Sequence, residues 1–300
     1  MSPNSSIQPE WPDRTASFNA LFGPNISYPY LRWVKGLDVF SQGNVLTFQT
    51  ASLHAELSML SYVKDLDWIA AQTNPAGLHL QSHFEGSGLR CIHFLYKGGS
   101  IFCFRGTEID SLRNILTDLH LTLGSWKQGG KIHSGFHSAW ETISAWFQEE
   151  LITHRVTKVH LTGHSLGGAL ALLGAETCQA LSPVVYTFGA PRVGDADFAE
   201  SVQATHFRMV NNNDLVPQMP PGPIYQHDSS CHFIGSNGSF QIKPDVTAMI
   251  RENLKGHLHH ALDVFKSWSE RKVTAVPTAN LVDHAPCFYI KSLRKLARID

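Results

Sequence analysis

Apolar residues recur along this chain at two different periods, and the switches between them mark its elements. Leu53, Leu57, Leu60 and Val63 fall at helical spacing, which predicts an amphipathic helix over 51–63 that Ser52 or Thr50 can cap. The runs 89–96 and 100–105 are short, apolar and aromatic, and Lys97-Gly98-Gly99 lies between them. That is the pattern of two strands joined by a tight turn. Trp140, Ile143, Trp146 and Phe147 predict a helix over 139–151, and 156–161 returns to a strand pattern. The next segment, 166–178, is apolar nearly all round and predicts a buried helix. A strand over 184–188, a short helix over 198–203 and a strand over 205–210 follow. Alternation of this kind predicts an α/β fold, a mainly parallel sheet with helices on both faces. Residues 246–268 read as helical with a break at Gly256, and Pro277 and Pro286 bracket a loop before a basic final helix.

The first 45 residues interrupt this order. Pro3, Pro9, Pro12, Pro24 and Pro29 among many polar residues predict an irregular lead-in, 1–45, packed on a domain of 46–300. A chain of 300 residues is long enough for one α/β domain with a large core. With 43% hydrophobic and 16% charged residues and a formal charge of -1, it has the balance of a globular enzyme and no strong field for nucleic acid. Cys91, Cys103, Cys178, Cys231 and Cys287 form an odd set without a CxxC pair, which predicts buried free thiols rather than a disulfide framework or zinc ribbon. The opening residues show no basic stretch followed by an apolar run, and nowhere do the roughly 18 apolar residues of a bilayer span occur. The expectation is therefore no transmembrane segment and no classical export signal, with a cytoplasmic location by default and non-classical export left open.

The strongest chemical signal is Gly163-His164-Ser165-Leu166-Gly167, followed by Gly168, where the strand pattern hands over to the helix pattern. In a GxSxG elbow the serine occupies a strained turn, and the flanking glycines remove side chains that would clash with the neighbouring strand and helix. The N-terminus of the following helix favours developing negative charge. A serine hydroxyl needs a histidine base and an acid to orient that base, in the chain order serine, acid, histidine. Asp214 follows a strand and a polar turn, as such an acid should. Asp195, Asp228, Asp245 and Asp283 read better as caps or solvated charges. For the base, His227, His232, His257, His259, His260 and His284 all follow Asp214, and His284 lies before the final helix. His257, His259 and His260 are the alternative cluster. His257 and His260 share a helical face, but no carboxylate completes an HExxH arrangement, so no metal site and no cofactor are expected. Oxyanion donors would be the N–H of Leu166 and, from the loop Arg105-Gly106-Thr107, the N–H of Thr107.

These motifs occur together with His133-Ser134-Gly135-Phe136, Thr187-Phe188-Gly189-Ala190-Pro191-Arg192-Val193-Gly194 and Asp214-Leu215-Val216-Pro217. In that order they resemble the class 3 (fungal-type) triacylglycerol lipases, over about residues 51–289. The resemblance implies an α/β-hydrolase fold and a triad of Ser165, Asp214 and His284, with Thr107 and Leu166 at the oxyanion hole. It also implies a lid helix after the RGT loop, carrying the apolar face Leu112, Ile115, Leu116 and Leu119. The partner so implied is a lipid ester, met by peripheral contact with a lipid interface. Three functions follow as expectations. The first is a triacylglycerol lipase or esterase working through an acyl-enzyme; the others are a phospholipase A1 and a lipase-like binding or signalling module without catalysis.

Overall fold

The computed structural model describes residues 11–41, 44–106, 122–220, 222–243 and 279–299. The expected lid residues Leu112, Ile115, Leu116 and Leu119, the donor Thr107, the helix over 246–268 and His257, His259 and His260 all lie outside these residues.

Eight strands form one sheet in the order β1-β2-β3-β6-β7-β8-β9-β10. Its middle is parallel: β3 (Gly99–Phe104), β6 (Val159–His164), β7 (Val184–Phe188), β8 (Thr205–Asn211) and β9 (Cys231–Ile234). Antiparallel strands extend both edges, β1 (His79–Gly86) and β2 (Leu89–Tyr96) on one side and β10 (Phe240–Lys243) on the other. The hairpins at β1–β2 and β2–β3 turn through Ser87-Gly88 and Lys97-Gly98. All four residues have positive φ, the backbone form of a two-residue turn that matches strand twist. Strand β1 escapes the sequence pattern because its residues are half-exposed to exposed throughout and mostly polar.

Alternate residues of the strands feed two cores. Ile101, Cys103, Val184, Tyr186 and Phe188 point to one, and Phe102, Phe104 and Val185 to the other. The second core is closed by α4 (Ser134–Thr153) and α5 (Leu166–Thr177). The first is closed by α2 (Phe48–Leu60), α8 (Pro286–Ala297) and residues of the lead-in, including Leu21, Tyr28, Tyr30 and Val34. Helices thus cover both faces of the sheet, the α/β-hydrolase architecture. Small helices α1 (Phe18–Phe22), α3 (Leu66–Thr73), α6 (Ala196–Ser201) and α7 (Ala279–His284), and the two-stranded ribbon β4 (Leu123–Ser125) with β5 (Lys131–His133), complete the described elements.

Helix α2 departs from its amphipathic expectation. It starts at Phe48 with Thr47 as its cap, and every residue from Thr50 to Leu60 is buried. Its buried acid, Glu56, survives there because it is paired: the carboxylate accepts from Leu31 N–H at 2.7 Å and Trp33 Nε1–H at 2.9 Å and lies 3.5 Å from Arg294. One buried carboxylate thereby ties the lead-in to α2 and α8. Helix α4 begins five residues earlier than its apolar spacing predicts, because the His133 side chain caps it by accepting from Gly135 N–H at 3.1 Å. All five cysteines are free and buried. Among the described residues no helix is long and apolar enough to cross a membrane.

Candidate active site

Ser165 follows the last residue of β6 and precedes the first of α5, at φ 59° and ψ −128°. A non-glycine residue holds that conformation only where the surroundings dictate it. Here Ser165 N–H donates to Phe188 O at 2.9 Å and Gly168 N–H to Ser165 O at 2.9 Å, which locks the turn between β7 and α5. The glycines are steric necessities. A Cβ on Gly163 would come within 2.2 Å of Gly167 C, and one on Gly167 within 2.1 Å of Phe104 O. Strand and helix cross too closely for any side chain.

The serine hydroxyl donates to His284 Nε2 at 3.0 Å, and His284 Nδ1–H donates to Asp214 Oδ2 at 2.9 Å. Asp214 leaves the end of β8, and its Oδ1 accepts Val216 N–H at 2.9 Å, so its own turn aims the other oxygen. His284 is the last residue of α7 rather than part of the loop the prolines predict. Of the histidines that follow Asp214, His227 Nε2–H donates to Pro217 O at 2.6 Å, and His232 lies near the rings of Phe207 and Phe240. The rival carboxylates have other work. Asp195 caps α6, Asp228 pairs with His206 and Asp283 pairs with Arg14; Asp245 lies outside the described residues.

Several residues support the site in ways the sequence reading did not foresee. Tyr289 O–H donates to Asp214 Oδ2 at 2.6 Å while its oxygen accepts Asn211 N–H at 3.1 Å, so the acid receives a second donor from α8. His164 Nε2–H donates to the carbonyl of His284 at 2.7 Å, and its Nδ1 accepts from Tyr62 O–H at 3.1 Å. Burial, reinforced by His284, keeps His164 far below the usual imidazole range, so this neutral tautomer persists. Asp283 is fully buried beside the base. It accepts from Arg14 at 2.5 Å and Asn212 Nδ2–H at 2.8 Å, which fastens the histidine turn to the lead-in and to the acid turn. Gly189, at φ +62°, has no alternative: a Cβ there would stand 2.6 Å from Asp214 Oδ2 and 2.8 Å from His284 Nδ1.

Comparison with known proteins bears on the same segment. Residues 101–223 match the family model described as Lipase (class 3). This chain belongs to the class 3 lipase family. A lipase of Rhizopus niveus is 42% identical over 134 residues, which cover 39% of this chain and 34% of that protein. A lipase of Rhizomucor miehei is 30% identical over 229 residues, 69% of this chain and 54% of that one. The chain therefore spans about a third to a half of these curated relatives. Among solved structures, the Rhizomucor miehei triacylglyceride lipase superposes with a TM-score of 0.56 at 25% identity, covering 67% of this chain and 88% of that one.

In this chain the elbow also supplies an electrostatic element. Leu166 opens α5, where the first N–H groups lack intrahelical acceptors and the helix dipole is positive. The loop after β3 comes up beside it, for a Cβ on Gly106 would lie 2.9 Å from His164 O and 3.4 Å from Ser165 Cβ. A serine activated by a histidine, next to such donors, is equipped for acyl transfer.

Proposed function

We propose that this protein is a serine carboxylic-ester hydrolase of lipid esters, a triacylglycerol lipase or esterase working through an acyl-enzyme. The observation that supports the reading is the continuous relay Ser165–His284–Asp214 at a positive-φ elbow. In this reading His284 takes the Ser165 proton as Oγ attacks the ester carbonyl, and Asp214 stabilises the imidazolium. The oxyanion is held by the N–H groups of Leu166 and Thr107. His284 then protonates the departing alcohol, and a water deprotonated by the same histidine releases the acyl group. The apolar face of Leu112, Ile115, Leu116 and Leu119 would make the contact with a lipid interface.

The test is hydrolysis of p-nitrophenyl esters of increasing acyl length, with and without a lipid interface, by the wild type and Ser165→Ala. Turnover is expected to fall by on the order of 10⁵-fold or more in the variant. Equal inertness of both proteins on every ester, with the interface present, would make the chain a binding module instead. Parallel assays on triolein and on a phosphatidylcholine separate triacylglycerol lipase from phospholipase A1.

A further inference from the structure

We infer that His93, Glu150 and His154 form a binding site for one divalent transition-metal ion of zinc-like chemistry, remote from the reaction centre. Their ligand atoms all lie within 4.8 Å of one another. His93 comes from the middle of β2, Glu150 from the last turn of α4, and His154 is the residue that ends that helix. Two imidazoles and a carboxylate are a donor set that zinc, cobalt and nickel favour over calcium or magnesium.

The distances fit a metal polyhedron. His93 Nδ1 and Glu150 Oε2 are 2.8 Å apart, and His154 Nε2 and Glu150 Oε2 are 3.4 Å apart. Bonds of about 2.0–2.1 Å in a tetrahedron place neighbouring donors about 3.3 Å apart, a separation these two values bracket. At 3.4 Å His154 stands beyond the usual hydrogen-bond range from the carboxylate, close enough to share an ion with it. Its position is fixed, because its backbone N–H donates to Glu150 O at 3.1 Å.

Supporting groups are in place on both sides. His93 Nε2 lies 2.9 Å from Ser100 Oγ. That hydroxyl both donates and accepts, so when Nδ1 binds the ion the ring proton moves to Nε2 and is received by Ser100, which orients the ligand. Ser82 Oγ lies 2.5 Å from Glu150 Oε2, near enough to steady the carboxylate or give way to a water as fourth ligand. The His93 side chain is sealed, while those of Glu150 and His154 are 12% and 20% exposed, which leaves an entry path from one side.

The site lies at the end of the sheet opposite Ser165. Ser100 is in register with Val159, the first residue of β6, whereas the nucleophile follows its last. An ion there clips the antiparallel edge of the sheet to the end of α4 and takes no part in ester cleavage.

The test uses the full chain without a histidine tag, stripped by chelator, titrated with ZnCl₂ by calorimetry and with CoCl₂ by visible absorption. One equivalent should bind, cobalt should show the intense bands of four-coordination, and zinc should raise the melting temperature. His154→Ala, and separately Glu150→Gln, which keeps an acceptor for Ser82 and His93, should each weaken binding roughly a hundredfold and abolish the thermal shift. His257→Ala/His260→Ala should bind as the wild type does. The inference is overturned if the wild type takes up no stoichiometric zinc. It is equally overturned if uptake survives both single variants with folding verified by near-ultraviolet circular dichroism, or follows His257 and His260 instead.

Discussion

Two histidine-centred relays stand on neighbouring strands, and their likeness is instructive. In one, Ser165, His284 and Asp214 are linked at 3.0 and 2.9 Å. In the other, Thr187 Oγ1 donates to His206 Nε2 at 2.8 Å and His206 Nδ1–H to Asp228 Oδ2 at 2.7 Å. By distance alone the second is as good a triad as the first, and the side chains of both are buried. What differs is the backbone. Ser165 sits at φ 59° between a strand and a helix N-terminus, while Thr187 is an interior strand residue whose neighbours pair with β6 and β8. Thr187 packs against Gly168 in the first turn of α5, but it is ordinary strand backbone and not the residue that leads into that helix. Burial opposes the charge of Asp228, but His206 and Arg208 outweigh it and hold that carboxylate below its ordinary range, as suits a fixed structural acceptor. A hydroxyl–imidazole–carboxylate chain is thus a way of satisfying buried polar groups; what sets the first apart is the strained elbow that carries its hydroxyl.

The sharpest way to break this comparison is to remove each carboxylate's charge. Asp214→Asn should lower kcat for ester hydrolysis about 10⁴-fold, since the amide presents the wrong partner to His284, while Asp228→Asn should leave turnover near wild type and lower the urea midpoint. A Cβ at Gly189 attacks only the first relay. Gly189→Ala should cost on the order of 10²-fold in kcat by displacing Asp214 and His284, with KM little changed, as steady-state kinetics would show. Thr187→Val attacks only the second: it should cost about 1–3 kcal/mol in urea unfolding by stranding His206 Nε2, and ester turnover should persist. Turnover lost with Thr187→Val would mean that the two relays are one system.

A last distinction is between a histidine that must accept a proton and those that must not. His54 and His160 share a hydrogen bond at 3.0 Å in the core. Burial drives His54 far below its usual value and His160 down to about 3. Below pH 6.5 the unfolded chain binds protons that these folded-state imidazoles refuse. Their contribution is therefore intact above pH 6.5 and declines as pH falls towards the folded values. Stability should drop by about 1.4 kcal/mol per pH unit for each such histidine. Urea midpoints at pH 7.5 and 5.0 test this, and a flat profile would refute it.

Much of the site was legible in the chain because it is locally encoded. The elbow at 163–168 announces itself by a change of period and by glycines whose absence of Cβ the strand–helix crossing requires. Asp214 was marked by its place after a strand. His284 competed with five other histidines, and its turn proved to be the end of a short helix whose partners lie 70 and 119 residues away. Tyr289 was invisible as a site residue, since nothing local distinguishes a tyrosine on a helix that reaches an aspartate from one that does not, and the roles of His164 in the elbow motif and of Asp283 among the rival acids were not readable. Strands β1 and β10 were missed for a related reason: both are edge strands, which need not be apolar on both faces, and β9 is only four residues long.

The sequence alone determined the alternation of strand and helix, the parallel sheet and the position of the strained serine, because periodicity and backbone sterics act over a few residues. The tertiary structure decided which histidine meets that serine, which of two similar relays includes the residue at the strained turn, and which distant imidazoles and carboxylate converge at the far end of the sheet. Those choices depend on packing and on the pairing of buried polar groups, which join residues the chain itself keeps far apart.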